Sequence, residues 1–283
     1  MALHWPTFFT RLGSAIVFCI IMMLGLLWSE WAFLGLVLLI LVLCLRDYFR
    51  LVKKIYPGAY RPKWMQVTTQ LFSIGLLLSV AFAIFHLGVE FDKTAGLSLL
   101  FVPTLILLFA AFSGGKSLPS VLQAGGAMIY VTLPILMFLG LRSISIIVPL
   151  ALILMIWMND TMAYLVGSFI GKTPFSKISP KKTWEGTAGG AILTIAGAAI
   201  WGHYSGYYRM IDWIALALCA AIAGTAGDLL ESKLKRLADG KDSGTMMPGH
   251  GGALDRFDSL LVATPFAFAY AYLFMPPLPL HIF

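Results

Sequence analysis

The stretch GHGGALDRFD, residues 249–258, leads without a break into SLLVATPFAFAYAYLF, residues 259–274. A His, an Arg and two Asp thus stand at the mouth of an apolar run. Runs of about 15 to 24 apolar residues recur along the chain, roughly what a helix needs to cross a hydrocarbon core of ~30 Å. Of the 283 residues, 59% are hydrophobic and 12% charged, and mean hydropathy is +0.87. A water-soluble globule would have too little polar surface at this composition. The sequence therefore reads as an all-α, polytopic integral membrane protein, because lipid forces backbone groups to be satisfied internally.

About nine spans are expected, at 12–28, 31–45, 66–88, 96–113, 122–141, 143–158, 186–206, 212–229 and 259–275. The N-terminal segment lacks a small-residue cleavage site after its apolar stretch and reads as a retained helix. With the N-terminus cytoplasmic, 17 of the 20 Lys and Arg residues fall on the inside and only Lys93, Arg142 and Arg209 outside, as the positive-inside rule requires. The net charge of +7 is thereby assigned to loops beside anionic headgroups rather than to nucleic-acid binding.

Trp28, Trp31, Trp64 and Trp213 lie near span ends, suggesting an interfacial aromatic belt. The basic segment 46–64, with Pro57 and Gly58, reads as an amphipathic anchor in the interface. Cys19, Cys44 and Cys219 fall inside apolar spans and read as packing residues rather than disulfide partners or metal ligands. The expected organisation is one membrane domain, 1–283, with a helical N-terminal half, 1–140, and a catalytic half, 141–283. Of the 13 acidic residues, 9 follow position 159.

Two clusters carry that acidity. In NDTMAYLVGSFIGKTPFSKISPKKTWEG, residues 159–186, Asn159 and Asp160 end an apolar run, where an ionisable group is costly and usually functional. Lys172, Lys177, Lys181 and Lys182 follow on a loop able either to wrap a polyanion or simply to obey the inside rule. In residues 224–258, Asp228, Ser232 and Lys235 share one face if the helix continues. KDSGTMMPGHGG is a turn-rich connection that could offer N–H groups to an anion. Asp255 and Asp258 sit three apart at the start of the last helix. A first-turn Asp complements the helix dipole, but that explains one carboxylate better than it explains Asp228, Asp255 and Asp258 together. Closely held carboxylates repel unless a cation lies between them.

Hard oxygen donors without nearby Cys or clustered His suit Mg2+ or a similar cation rather than zinc. His250 stands alone among carboxylates, which favours general-base or phosphate contact over metal ligation, with a structural role also open. Lys233, Lys235, Arg236, Lys241 and Arg256 supply the positive charge that phosphate chemistry needs.

These residues resemble the phosphatidate cytidylyltransferases, also called CDP-diacylglycerol synthases. The family signature falls on Ser232, Leu234, Lys235, Arg236, Lys241, Asp242, Gly244, Pro248, His250, Gly251, Gly252, Asp255, Arg256 and Asp258. Met247 replaces an expected Leu, Ile or Phe, an apolar exchange. DTMAY and SPKKTWEG resemble the family's other conserved region, so the motif match covers residues 159–258. The resemblance implies conversion of CTP and phosphatidate into CDP-diacylglycerol and pyrophosphate at the cytoplasmic side of a bacterial inner membrane. It also implies dependence on Mg2+, with the number of cations open, and a homodimer.

On this reading Asp228, Asp255 and Asp258 hold the metal, while Asp160 and Ser232 contact substrate. Lys181, Lys182, Lys235, Arg236, Lys241 and Arg256 are candidates for phosphate contacts, and Asp242 and His250 belong to the catalytic set. Three other readings compete. A cation-coupled transporter also uses intramembrane carboxylates, but here they cluster at one face without an inverted repeat. A CDP-alcohol phosphatidyltransferase would carry a different Asp-rich signature, which is absent. A paralogue using another lipid phosphate would look the same.

Overall fold

A computed structural model describes residues 5–59, 63–86, 118–240, 242–244 and 251–277. The described residues form helices and connections, with no strand beyond one isolated bridge between Pro174 and Thr183. In chain order the helices are α1 (Trp5–Leu27), α2 (Glu30–Ile55), α3 (Lys63–His86), α4 (118–144), α5 (Ile147–Ile170), α6 (Trp184–Ser205), α7 (Met210–Leu237) and α8 (Leu254–Phe274). Short π turns interrupt α4 at Met128–Thr132 and α7 at Cys219–Ala223. Six helices, α2, α3, α4, α5, α7 and α8, are long and apolar enough to cross a membrane. The chain is an integral membrane protein. The span expected at 96–113 lies outside the described residues, as do Lys93, Lys116, Lys241 and His250.

Two compact units organise these helices: one comprises Met1–Leu139 with Leu237–Phe257, the other Gly140–Arg236 with Asp258–Phe283. The first is built on α2, which packs against α1, α3 and α4. Ser29 caps α2 by accepting from the Ala32 N–H at 3.1 Å, an arrangement worth roughly 1 kcal/mol. Lys53 and Lys54 occupy its last turn, where cations complement the dipole. Phe33, Val37, Leu41 and Leu45 form its buried stripe, and Phe33 meets Phe138 with ring centroids 5.8 Å apart.

The interfacial-anchor reading of 46–64 is corrected here. No helix breaker occurs before Pro57, so α2 runs on to Ile55, and Asp47, Tyr48, Phe49, Leu51 and Val52 are buried. The Tyr48 hydroxyl donates to the Gln123 carbonyl at 3.3 Å. Gly126 leaves the space that this hydroxyl occupies.

In the second unit α6 packs extensively on α5 and α7. Its buried face is a four-residue repeat of small side chains, Gly186, Gly190, Thr194, Ala198 and Gly202. A Cβ at Gly190 would press 2.8 Å from the Asn159 carbonyl oxygen and the Ala163 amide nitrogen, so glycine permits near backbone contact. Membrane helices associate by such close approach. α6 is not one of the six helices that are long and apolar enough to cross a membrane.

Two further expectations change. Asn159 and Asp160 end the apolar run but not the helix, since α5 continues to Ile170. Trp213 is 0% exposed, packed edge-on against Trp201 and Tyr208 rather than in an interfacial belt, whereas Trp28, Trp31 and Trp64 are exposed. All three cysteines are free; Cys44 is buried as a packing residue, Cys219 is half-buried and Cys19 is exposed.

Candidate active site

The loop joining α5 to α6 is a pinned hairpin. Phe175 N–H donates to the Lys182 carbonyl at 2.7 Å, Trp184 N–H to Thr173 at 3.0 Å, and the Phe175 and Trp184 rings meet at 4.4 Å. Thr183 caps α6, accepting from Gly186 N–H at 3.1 Å. Glu185, in the first turn, accepts from the backbone N–H groups of Lys172 and Thr173 at 3.1–3.2 Å. Hydrogen bonds from its own backbone, and then from Thr173, hold its carboxyl well below the usual range, at about 2. The expected phosphate loop is therefore rigid, with Lys181 exposed at its tip.

Lys182, next to it, pairs with Asp228 of α7. Gly227 allows this part of α7 to touch α8: a Cβ there would collide with the Asp258 carbonyl oxygen. Asp258 is only 7% exposed. Its carboxyl meets that of Asp228 and interacts electrostatically with Asp160 on α5. One oxygen also accepts from Ser259 N–H at 2.6 Å. Lys182 with Asp228, Asp228 with Asp258, and Asp160 within electrostatic reach of Asp258 thus link four parts of the chain in the second unit. Asn159, beside Asp160, is buried, and its Oδ1 has no hydrogen-bond partner among the described residues.

Further along α7, as its continuation to Leu237 requires, Ser232 and Lys235 follow Asp228 at helical spacing. Lys235 pairs at 2.5 Å with Glu231, which is 0% exposed. Glu231 drew no attention in the sequence because it falls outside the signature and reads as an ordinary surface acid. Arg236 is exposed.

In the first unit Asp242 and Arg256 are exposed. Asp255 uses a single oxygen, Oδ2, to accept from Ser243 N–H at 2.9 Å, Ser243 hydroxyl at 2.8 Å and Gly252 N–H at 2.6 Å. Gly251 has φ +83°, a left-handed backbone that favours glycine. Asp47 reaches the same segment from α2, accepting from Ala253 N–H at 2.7 Å and Leu254 N–H at 3.4 Å. The start of α8 is thereby occupied by a protein carboxylate, so its N–H groups are not presented to an anion.

Among the described residues no three carboxylate, His or Cys groups converge as a complete metal-ligand set. The pair Asp228 and Asp258 still fits a hard divalent cation, because Mg2+ is commonly held by one or two carboxylates with substrate phosphates and water completing its shell.

Fold and cluster together define a helical membrane protein with a paired-carboxylate, lysine-bearing site. A sequence profile of the Cytidylyltransferase family matches residues 9–274. The phosphatidate cytidylyltransferase of Synechocystis sp. is 33% identical over 299 residues, covering 94% of this chain and 96% of that protein. That of Haemophilus influenzae is 41% identical over 128 residues, 43% of this chain and 44% of its own. That of Bacillus subtilis is 44% identical over 121 residues, 42% and 45% respectively. The chain belongs to the cytidylyltransferase family. It is an enzyme, a nucleotidyltransferase, and the transporter reading falls.

Proposed function

We propose that the protein is a CTP:phosphatidate cytidylyltransferase of phospholipid biosynthesis. The observation that carries this reading is the pairing of Asp228 with Asp258 and Lys182, with Asp160 in electrostatic reach, in a chain similar over 94% of its length to a phosphatidate cytidylyltransferase.

In the proposed reaction a phosphatidate phosphate oxygen attacks the α-phosphorus of CTP. The new P–O bond forms as the bond to the β-phosphate bridging oxygen breaks, releasing pyrophosphate and leaving CDP-diacylglycerol. No covalent enzyme intermediate is required, so positioning and electrostatics carry the catalysis. Asp228 and Asp258 would hold a Mg2+ ion, which supplies charge neutralisation to the triphosphate when bound. Lys182 exchanges its carboxylate partner for a phosphate oxygen as substrate arrives, and the pinned hairpin keeps Lys181 and Lys182 oriented for it. Lys235, held by Glu231, and Arg236 extend the basic surface along α7, with Lys241 and Arg256 of the signature as further phosphate contacts. Asp160 and Ser232 contact substrate.

The reading places nine spans in a bacterial inner membrane with the N-terminus and site cytoplasmic, and the chain as a homodimer. The distribution of 17 of 20 basic residues on one side supports that orientation. This lets acyl chains remain in hydrocarbon while the headgroup meets a soluble nucleotide.

The test is purified full-length protein in detergent with labelled CTP, Mg2+ and phosphatidate. The expected result is a lipid-soluble cytidine product with stoichiometric pyrophosphate. Its absence with phosphatidate, but appearance with another lipid phosphate, would replace the substrate.

A further inference from the structure

We infer that Asp47 of α2 is a positioning residue for the segment that carries Asp242, Gly244, Gly251, Gly252 and Asp255, although it lies far outside the signature. The inference rests on the cytidylyltransferase reading for its catalytic consequence but not for its geometry.

Asp47 is a carboxylate only 5% exposed on an otherwise apolar helix face. Burial of such a group is costly unless it is hydrogen-bonded or paired. Its partners explain its presence. Oδ2 accepts from Ala253 N–H at 2.7 Å and from Leu254 N–H at 3.4 Å, across 206 and 207 residues of sequence. Arg50, one turn on, lies 3.7 Å from Oδ1. The N–H groups at the start of a helix lack intrahelical partners, and a carboxylate there satisfies both the hydrogen bonds and the dipole. Asp47 therefore serves α8 as an N-terminal cap supplied by another helix.

The glycines of the segment are shaped around this carboxylate. A Cβ on Gly244 would stand 2.5 Å from Asp47 Oδ1 and 2.8 Å from Cγ, with no other residue among its nearest atoms. A Cβ on Gly252 would collide with Asp47 Oδ2 and crowd Ser243 Oγ at 2.5 Å. Asp255 closes the other side, accepting from Ser243 and Gly252. Two carboxylates thus hold residues 243 and 252–254, and two glycines fit the signature segment to Asp47. Displacement of positioned groups by about 1 Å can cost a factor of order 100 in rate, so the effect is expected in turnover rather than in nucleotide affinity.

The experiment compares full-length wild type with Asp47→Asn, Asp47→Ala, Gly244→Ala and the Asp47→Ala/Gly244→Ala double variant. Hydrogen exchange is read over residues 251–257, and kcat and KM for CTP are measured with phosphatidate. Asp47→Ala is expected to accelerate exchange at Ala253 and Leu254 while α2 and α3 stay protected. It should lower kcat roughly 10- to 100-fold, the scale of a lost charged hydrogen bond, with KM for CTP little changed. Asp47→Asn, which keeps an acceptor and guards against misfolding of the alanine variant, should lose less. Gly244→Ala alone should be damaging, and the double variant no worse than the poorer single, because the clash and its cause vanish together. Unchanged exchange at 253–254, exchange rising equally throughout the first unit, or losses that multiply in the double variant would each overturn the inference. Wild type that makes no cytidylyl lipid would defeat the functional reading alone, since the exchange comparison does not depend on turnover.

Discussion

Two pairs of acidic residues, one pair in each unit, are treated in different ways. In the first, Asp47 and Asp255 accept from the N–H groups of 243, 252, 253 and 254 and from one hydroxyl, with Arg50 3.7 Å from Asp47. In the second, Asp228 and Asp258 face each other, with Asp160 nearby and Lys182 as the cationic partner. A carboxylate surrounded by N–H groups has its charge solvated by the fold and contributes to stability. A carboxylate turned towards another is destabilising by itself unless a cation offsets the repulsion. The difference separates acids held by backbone donors from acids held against one another, which composition alone does not do.

The sharpest way to break this contrast is Asp258→Asn. It removes one of two facing charges, so Mg2+-dependent turnover should fall at least about 1,000-fold, several kcal/mol at 1.36 kcal/mol per tenfold. Thermal stability should rise, because like-charge repulsion is relieved; about 1 kcal/mol would appear as ~2–4 °C in Tm. Near-normal activity of the folded variant, or a lower Tm, would place Asp258 among the structural acids. Asp255→Asn should behave in the reverse sense: Tm falls by a similar ~2–4 °C, and activity falls about tenfold through loosening of the loop. A stabilised Asp255→Asn protein would erase the distinction.

Glu185 is an intermediate test, being a solvated carboxylate gripped by N–H groups. Its folded value is lowered from 4.5 to about 2. Its contribution is therefore full above pH 4.5 and is lost as pH falls through about 2. Glu185→Gln should flatten that acid-side loss in Tm between those limits, and unaltered acid sensitivity would remove Glu185 from the hairpin's support. The smallest effect belongs to Asp239, outside the signature and at φ 49°. Asn tolerates this left-handed backbone, so Asp239→Asn should change kcat less than about twofold, within the ±0.5 kcal/mol typical of surface substitutions. Inactivity would mean that the site extends onto the α7 terminus.

Sequence made Asp160, Asp228 and Asp258 legible because each stands at an end of an apolar run. The helical phase of Asp228, Ser232 and Lys235 was legible for the same reason. Asp47 was not, since Arg46, Arg50, Lys53 and Lys54 surround it and give its segment the look of a basic surface anchor. Its meaning lies in amides more than 200 residues away, and no local pattern encodes such a pairing. The buried Trp213 was misread similarly: its place near a helix end suggested an interface, while the space beside Gly202 that admits its ring is a tertiary fact. The length of α5 escaped because Asn159 and Asp160 suggested an end where hydrogen bonding simply continues.

The π turn at Cys219–Ala223 bears on how α7 can change over evolutionary time. A π turn amounts to one extra residue accommodated within a helix, and each residue of an α-helix advances the azimuth by about 100°. Deleting a single residue from this turn would restore a regular helix with Asp228 and Lys235 near their present azimuth relative to Trp213, whereas the same deletion from a regular stretch between them would swing both by about that angle. The turn is then a place in an apolar stretch where the chain can lose a residue while the faces of α7 hold their direction, a tolerance that its regular stretches lack.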